Sequence, residues 1–419
     1  MGKGGRSGRV VNDFGPAGHK GAKKASETTK AKSAVKNTRG EAEAEAEAHA
    51  EIEAEAPLRA GVPVKLQQRI LNIFRDTFFE LLGSDTLQAL LQEVKAALYD
   101  RDFDRAFGRK DYLEAYSVRW SPSRALCYQS LLVDLQHHLA GLFPLCQPGQ
   151  SGAGFTPVST LQVVALGGGA AELVAFAGFL RYFNDISPPR STSDAGISLE
   201  ELSIIKARAK REISSRQSVT PRNLDIEITL IDSAPWQDVC SRLSSGLTEP
   251  PTLSKYANAL ARETNCSLIS PESFKSTFLF ENILEMDQTR IESLFGRRPV
   301  LCSLLFTLNE LYTTSISKTT TFLLNLTTTV APGTLLLVVD SPGSYSEAEI
   351  GVEARRYPMK WLLHHTLLDA KQSTESQETP AFWEKVMSDD SRWFRIPESL
   401  RYPIPLENMR CQLHLYRRI

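Results

Sequence analysis

Residues 161–172 read Leu161-Gln162-Val163-Val164-Ala165-Leu166-Gly167-Gly168-Gly169-Ala170-Ala171-Glu172, a short apolar run that breaks on three glycines and resumes with helix formers. A run this short, closed by glycine, reads as a strand buried on both faces, and Ala170 to Phe183 reads as the helix that follows it. Glycine lets the backbone turn sharply and approach a ligand closely, while the first turn of a helix presents free amide groups. The expectation is a nucleotide-like ligand at Gly167, Gly168 and Gly169, with a plain tight turn as the alternative. Three adjacent glycines are not the spaced dinucleotide pattern, and no phosphate-binding lysine follows, which counts against dehydrogenase and P-loop readings.

Outward from this turn the pattern alternates. Leu161–Leu166, Ile226–Ile231, Thr277–Phe280, Val300–Phe306 and Thr334–Val339 are apolar runs with helical patterns between most of them, and Cys411–Tyr416 suits a late, antiparallel strand. Such alternation predicts a doubly wound, Rossmann-like α/β sheet with ligands outside the carboxyl ends of its strands. Asp232 ends the second run, where a carboxylate can accept from both hydroxyls of a ribose; alone, it is equally a strand-end turn former. Its distance from the glycines returns to the usual interval of about 20 residues once the polar stretch 185–223 is treated as an insertion. Within that stretch Leu199–Ile213 suits a basic helix that either touches RNA or is a solvated surface.

Before the alternating region, residues 64–147 carry apolar side chains at helical spacing, from Leu66, Ile70, Ile73 and Phe74 through Leu82, then again at Leu87–Leu98 and beyond Pro122. They are expected to form a helical region preceding a 148–419 domain. Residues 1–63 are different. Ten lysines and arginines precede residue 41 against Asp13 and Glu27, and a Glu-Ala tract runs on to Ala56, a composition that buries too little to fold. The expectation is a disordered tail: a nuclear or nucleolar address, an arm for nucleic-acid phosphates, or a solvated extension.

The net charge of −1 conceals that asymmetry. No apolar run of about 18 residues suggests a membrane span, and the first residues lack a signal-peptide core. Cys127, Cys146, Cys240, Cys266, Cys302 and Cys411 are scattered, which suggests neither a zinc cluster nor a disulfide framework. His137-His138 and His364-His365 are adjacent pairs whose side chains point to different helix faces, so no metal is expected.

Glu281-Asn282 follows the third run, where a polar side chain can meet an adenine edge, and Asn309-Glu310 follows the fourth. Each has an alternative as a helix cap or solvent-facing loop residue. Tyr312 can receive an unstacked base or belong to the core.

The order Ala-Leu-Gly167-Gly168-Gly169-Ala-Ala-Glu172, Leu-Ile-Asp232, Phe280-Glu281-Asn282-Ile283-Leu284 and Phe306-Thr307-Leu308-Asn309-Glu310-Leu311-Tyr312 resembles the motif series of class I methyltransferases. More narrowly, Tyr112–Arg124, the last of these motifs and Met409–Arg418 resemble the fungal 25S ribosomal RNA uridine-N(3)-methyltransferases, over about residues 64–419. The resemblance implies S-adenosyl-L-methionine as cofactor, bound by Gly167, Gly168, Gly169, Glu172, Asp232 and Asn282, with Glu310, Asn309 and Tyr312 around the reacting base. It also implies ribosomal RNA or a pre-ribosomal particle as partner, a monomer, and a nuclear, nucleolar location extending to the cytoplasm. A methyltransferase of protein or small molecules, and a noncatalytic ribosome-assembly factor of the same fold, remain the alternatives.

Overall fold

The computed structural model describes residues 61–142, 158–186, 223–342, 347–350, 355–368 and 382–419. The basic tail, the Glu-Ala tract and nearly all of the polar insertion, including the basic helix expected at 199–213, lie outside the described residues.

Seven strands form one sheet in the order β3-β2-β1-β4-β5-β9-β8: β1 is Val158–Leu166, β2 Asn223–Asp232, β3 Phe274–Phe280, β4 Leu301–Leu305, β5 Leu335–Asp340, β8 Trp383–Phe394 and β9 Met409–Arg418. The first five are parallel, and β9 enters antiparallel between β5 and β8. This is the doubly wound α/β sheet expected from the sequence, and Cys411–Tyr416 lies in its antiparallel strand. The long strand β8 and a separate hairpin of β6 (Glu347–Ile350) and β7 (Arg355–Pro358) were not expected.

Alternation along β1 explains why both faces are covered. Leu161, Val163 and Ala165 join one apolar cluster, Val164 and Leu166 a second. The first cluster is completed by α1 (Val64–Thr77), α2 (Leu87–Tyr99), α3 (Lys110–Arg119), α4 (Ser121–Leu139), α5 (Ala170–Ile186) and α6 (Gln237–Thr248). The second takes α7 (Gln288–Phe295), α8 (Leu308–Thr314), α9 (Ile316–Thr329) and α10 (Met359–Leu368). The N-terminal helices therefore share the core of the sheet's first face. Gly178 of α5 marks the closest approach, since a Cβ there would lie 2.6 Å from Ile70 Cδ1 and 2.9 Å from Gln129 Nε2.

The first helix is shorter than its apolar spacing predicts. It stops at Thr77; Phe78, with φ −118°, turns into the core, and a separate turn Phe79–Leu82 leaves Phe79 exposed. Pro122 sits in the first turn of α4, where its missing N–H costs no hydrogen bond. The strand order reverses between β1 and β4, which opens a crevice beyond their carboxyl ends.

Candidate active site

The turn after β1 is fixed by its neighbours. Gly167 has φ +69°, donates its N–H to the Ile231 carbonyl at 2.7 Å, and would place a Cβ 2.3 Å from Thr307 Cγ2. Only glycine combines that left-handed backbone with that proximity. Gly168 packs down on Ala165 and does not line the crevice, whereas Gly169 lies under the Trp236 ring. Glu172 reaches back from the first turn of α5, its Oε2 accepting the Gly169 N–H at 2.9 Å, the reciprocal half of a capping box.

These groups wall a cleft of about 490 Å³, within the range of small-molecule and cofactor sites. Glu172, Asp232 and Glu310 all face it, and among the described residues none of the three has an ion-pair partner. Asp232 accepts the Ala234 N–H at 2.7 Å, which leaves acceptor capacity toward the cleft. Burial pushes its carboxyl up to about 7, despite that hydrogen bond. Burial raises Glu172 as well. Two acceptor-rich carboxyls beside a helix start suit the hydroxyls and ammonium group of an amino-acid nucleoside.

The far wall comes from β4 and from the N-terminal helices. Phe306, directly after β4, has φ +59°, a conformation costly for any residue but glycine, and is half-buried with its ring on the cleft. Arg124 of α4 lies 4.9 Å from that ring centre and donates to the Tyr116 hydroxyl. Next to it, Glu310 is pushed up to about 8 by burial; Arg124 opposes the shift, while Asp340 and Asp232 add to it. Asp340, at the end of β5, is held at about 6 mainly by burial and accepts the Asn309 N–H at 3.0 Å.

The structure thus brings Gly167, Gly169, Glu172, Asp232, Asn282 and Glu310 around one cleft. Asn282 caps the turn Ile283–Glu285, its Oδ1 accepting the Leu284 N–H at 3.0 Å. Asn309 lies on α8 away from the cleft lining. Tyr312, for which the sequence left a surface for a base and the core both open, lies in the core: it is 2 % exposed in the second apolar cluster, because positions 310 and 312 fall on different faces of α8. Arg124, Tyr116 and Trp236 complete the walls but were not singled out from sequence. Only Trp236, four residues after Asp232, carried a local signal, an aromatic beside the strand-end carboxylate.

Residues 74–417 match the model of a family described as "Putative SAM-dependent methyltransferase". The chain is 30% identical over 359 residues, 83% of its length and 85% of the relative's, to the 25S rRNA (uridine(2843)-N(3))-methyltransferase of Saccharomyces cerevisiae. Among solved structures, N-methyltransferase NodS from Bradyrhizobium japonicum WM9 with S-adenosyl-l-homocysteine aligns at 10% identity over 80% of this chain and 99% of its own, with TM-score 0.33. Magnesium protoporphyrin IX methyltransferase from Synechocystis with bound SAM aligns at 11% over 80% and 99%, with TM-score 0.30. The fold assignment rests on the strand order rather than on these two. With the family model spanning helices and sheet alike, the chain belongs to the S-adenosylmethionine-dependent methyltransferases.

Proposed function

We propose that the chain methylates the N(3) nitrogen of a uridine in 25S large-subunit ribosomal RNA, during ribosome biogenesis in the nucleolus. The observation that carries this reading is Glu310, a carboxyl held at about 8 on the cleft wall across from the glycine turn and beside the Arg124 guanidinium. The S. cerevisiae relative supports the choice of base, and the basic tail supports the nucleolar address.

When bound, S-adenosylmethionine supplies an electrophilic methyl group on a positively charged sulfur. On this reading the backbone at Gly167 and Gly169 would cradle it, Asp232 would accept from its ribose hydroxyls, Glu172 would meet its ammonium, and Asn282 would meet its base. A uridine N(3) carries a proton and is a poor nucleophile until that proton leaves. Glu310, in its carboxylate form, would take this proton, leaving the nitrogen lone pair free to accept the methyl group. A base titrating near 8 is well matched to that task at cellular pH. Phe306, Tyr116 and Trp236 surround the reacting atoms with apolar surface that excludes competing water.

Incubation of the purified chain with labelled S-adenosylmethionine and total RNA or total protein tests the proposal. The expected outcome is label in large-subunit RNA, recovered as 3-methyluridine after digestion to nucleosides. Label in protein alone, or in another nucleoside, overturns it.

A further inference from the structure

Beside the cofactor cleft opens a second cavity of about 230 Å³, sharing Arg124 and Phe306 with it and adding Arg119, Trp120 and Arg410 to its walls. Three guanidiniums meet there with one carboxylate, Glu407, which pairs with Nη2 of Arg119. The Arg119 side chain is 19% exposed, and its Nη1 is buried with no acceptor among the described residues. An unmatched buried donor is costly, more so when it is charged, so its position marks where an acceptor belongs. The Trp120 ring rests 5.2 Å from Tyr116, and Phe306 keeps its ring in place against its own backbone preference. Aromatic faces, one orphaned cationic donor and a shared wall with the reaction cleft form one arrangement.

A uracil flanks N(3) with two carbonyl oxygens, and loss of the N(3) proton spreads negative charge onto both. Donors fixed where that charge develops stabilise it strongly in a site shielded from water. We infer that this second cavity seats the extruded uridine, with Arg124 and Arg119 donating to its two carbonyl oxygens and the Trp120 and Phe306 rings against its faces. The inference rests on the uridine reading above and adds to it the place of the base. Arg410 continues the path outward: its guanidinium lies 5.7 Å from the ring of Trp393, which is 56% exposed and flanked on its other contact by Arg395 at 5.6 Å. An exposed ring between two cations suits the neighbouring bases and phosphates of a single strand.

The test compares Arg119→Gln and Arg410→Gln with the unaltered chain, on an ordinary 25S rRNA transcript and on the same transcript carrying 4-thiouridine in place of uridine. Cofactor affinity by calorimetry should stay within about threefold in both variants. Methylation kcat/KM on ordinary RNA should fall on the order of 100-fold for Arg119→Gln and on the order of tenfold for the exposed Arg410→Gln. Irradiation of the thiouridine complex should cross-link peptides containing Trp120 or Phe306. Wild-type kcat/KM in both variants, or cross-links confined to other peptides, overturns the pocket while leaving RNA methylation intact. If the unaltered chain transfers no methyl group to RNA, the uridine reading falls, and the pocket assignment with it. Should Arg119→Gln fail to fold, Arg410→Gln and the cross-links still decide.

Discussion

Gly167 and Thr307 are in contact across the switch point of the sheet, so closely that a Cβ on the glycine would come within 2.3 Å of the threonine methyl. The turn after β1 and the turn after β4 are thereby locked against each other, and the two walls of the cleft are set by one contact.

Gly167→Ala is therefore expected to destabilise the fold by about 2–4 kcal/mol, part from the left-handed backbone and part from the collision with Thr307. Adding Thr307→Gly should recover the steric part only. Chemical denaturation of the two single variants and the double variant measures both parts; a full recovery would show that the backbone at 167 is unstrained.

Glu310→Gln should lower kcat on the order of 100- to 10,000-fold while cofactor affinity changes by less than about threefold. Because burial holds the Glu310 proton up to about 8, the base form is lost as pH falls, and kcat/KM of the unaltered chain should decline about tenfold per pH unit below 8 and level off above it. The residual activity of Glu310→Gln should lack that limb. A pH profile identical in both proteins removes Glu310 from proton transfer.

Asp232 gives a prediction of opposite sign for stability. Its carboxyl titrates at about 7 in the fold against 3.8 when unfolded, so the stabilising contribution of the protonated form is complete below the unfolded value and is lost as pH rises through 7. Asp232→Asn should raise the stability of the cofactor-free protein at pH 8 by on the order of 1–3 kcal/mol and weaken cofactor binding at least tenfold. Thermal melts at pH 5 and pH 8, paired with calorimetry, check both halves. A variant less stable than the parent at pH 8 would show that the buried charge is already well solvated.

The N-terminal helices offer a packing test. Gly178→Ala pushes a methyl group onto Ile70 Cδ1 and Gln129, which should cost about 1–3 kcal/mol and lower the melting temperature by several degrees. Ile70→Val, which withdraws the nearest atom, should restore part of the loss. An unchanged melting temperature for Gly178→Ala would mean that α1 and α4 shift away freely.

The legible parts of the sequence were those where local pattern and tertiary role coincide. Strands β4 and β5 and the carboxyl half of β1 are buried on both faces, so they read as unbroken apolar runs, and the turn at 167–169 announces itself by composition. Strand β8 did not, because Trp383–Phe394 is mostly polar, half-exposed at the sheet edge, and interrupted by register shifts between Lys385 and Met387 and between Asp389 and Arg392. At the site, Asp232 at the end of β2 and Glu310 in the first turn after β4 follow from topology alone. Arg124 does not, since only packing across the first face of the sheet brings α4 to the cleft. Tyr312 stayed open for a matching reason: aromatic chemistry names two destinations, and helical phase, not composition, selects the interior.

Arg119 and Glu407, which meet at the second cavity, lie 288 positions apart in the chain. Closing so long a loop carries an entropic cost that only the assembled protein can repay. The cofactor cleft is lined by residues between 103 and 314, whereas the guanidinium-lined cavity also takes residues 407–410. The place for the acceptor is thus completed by the segment leading into β9, which the place for the methyl donor does not use, so the two halves of the reaction are seated by different reaches of the chain.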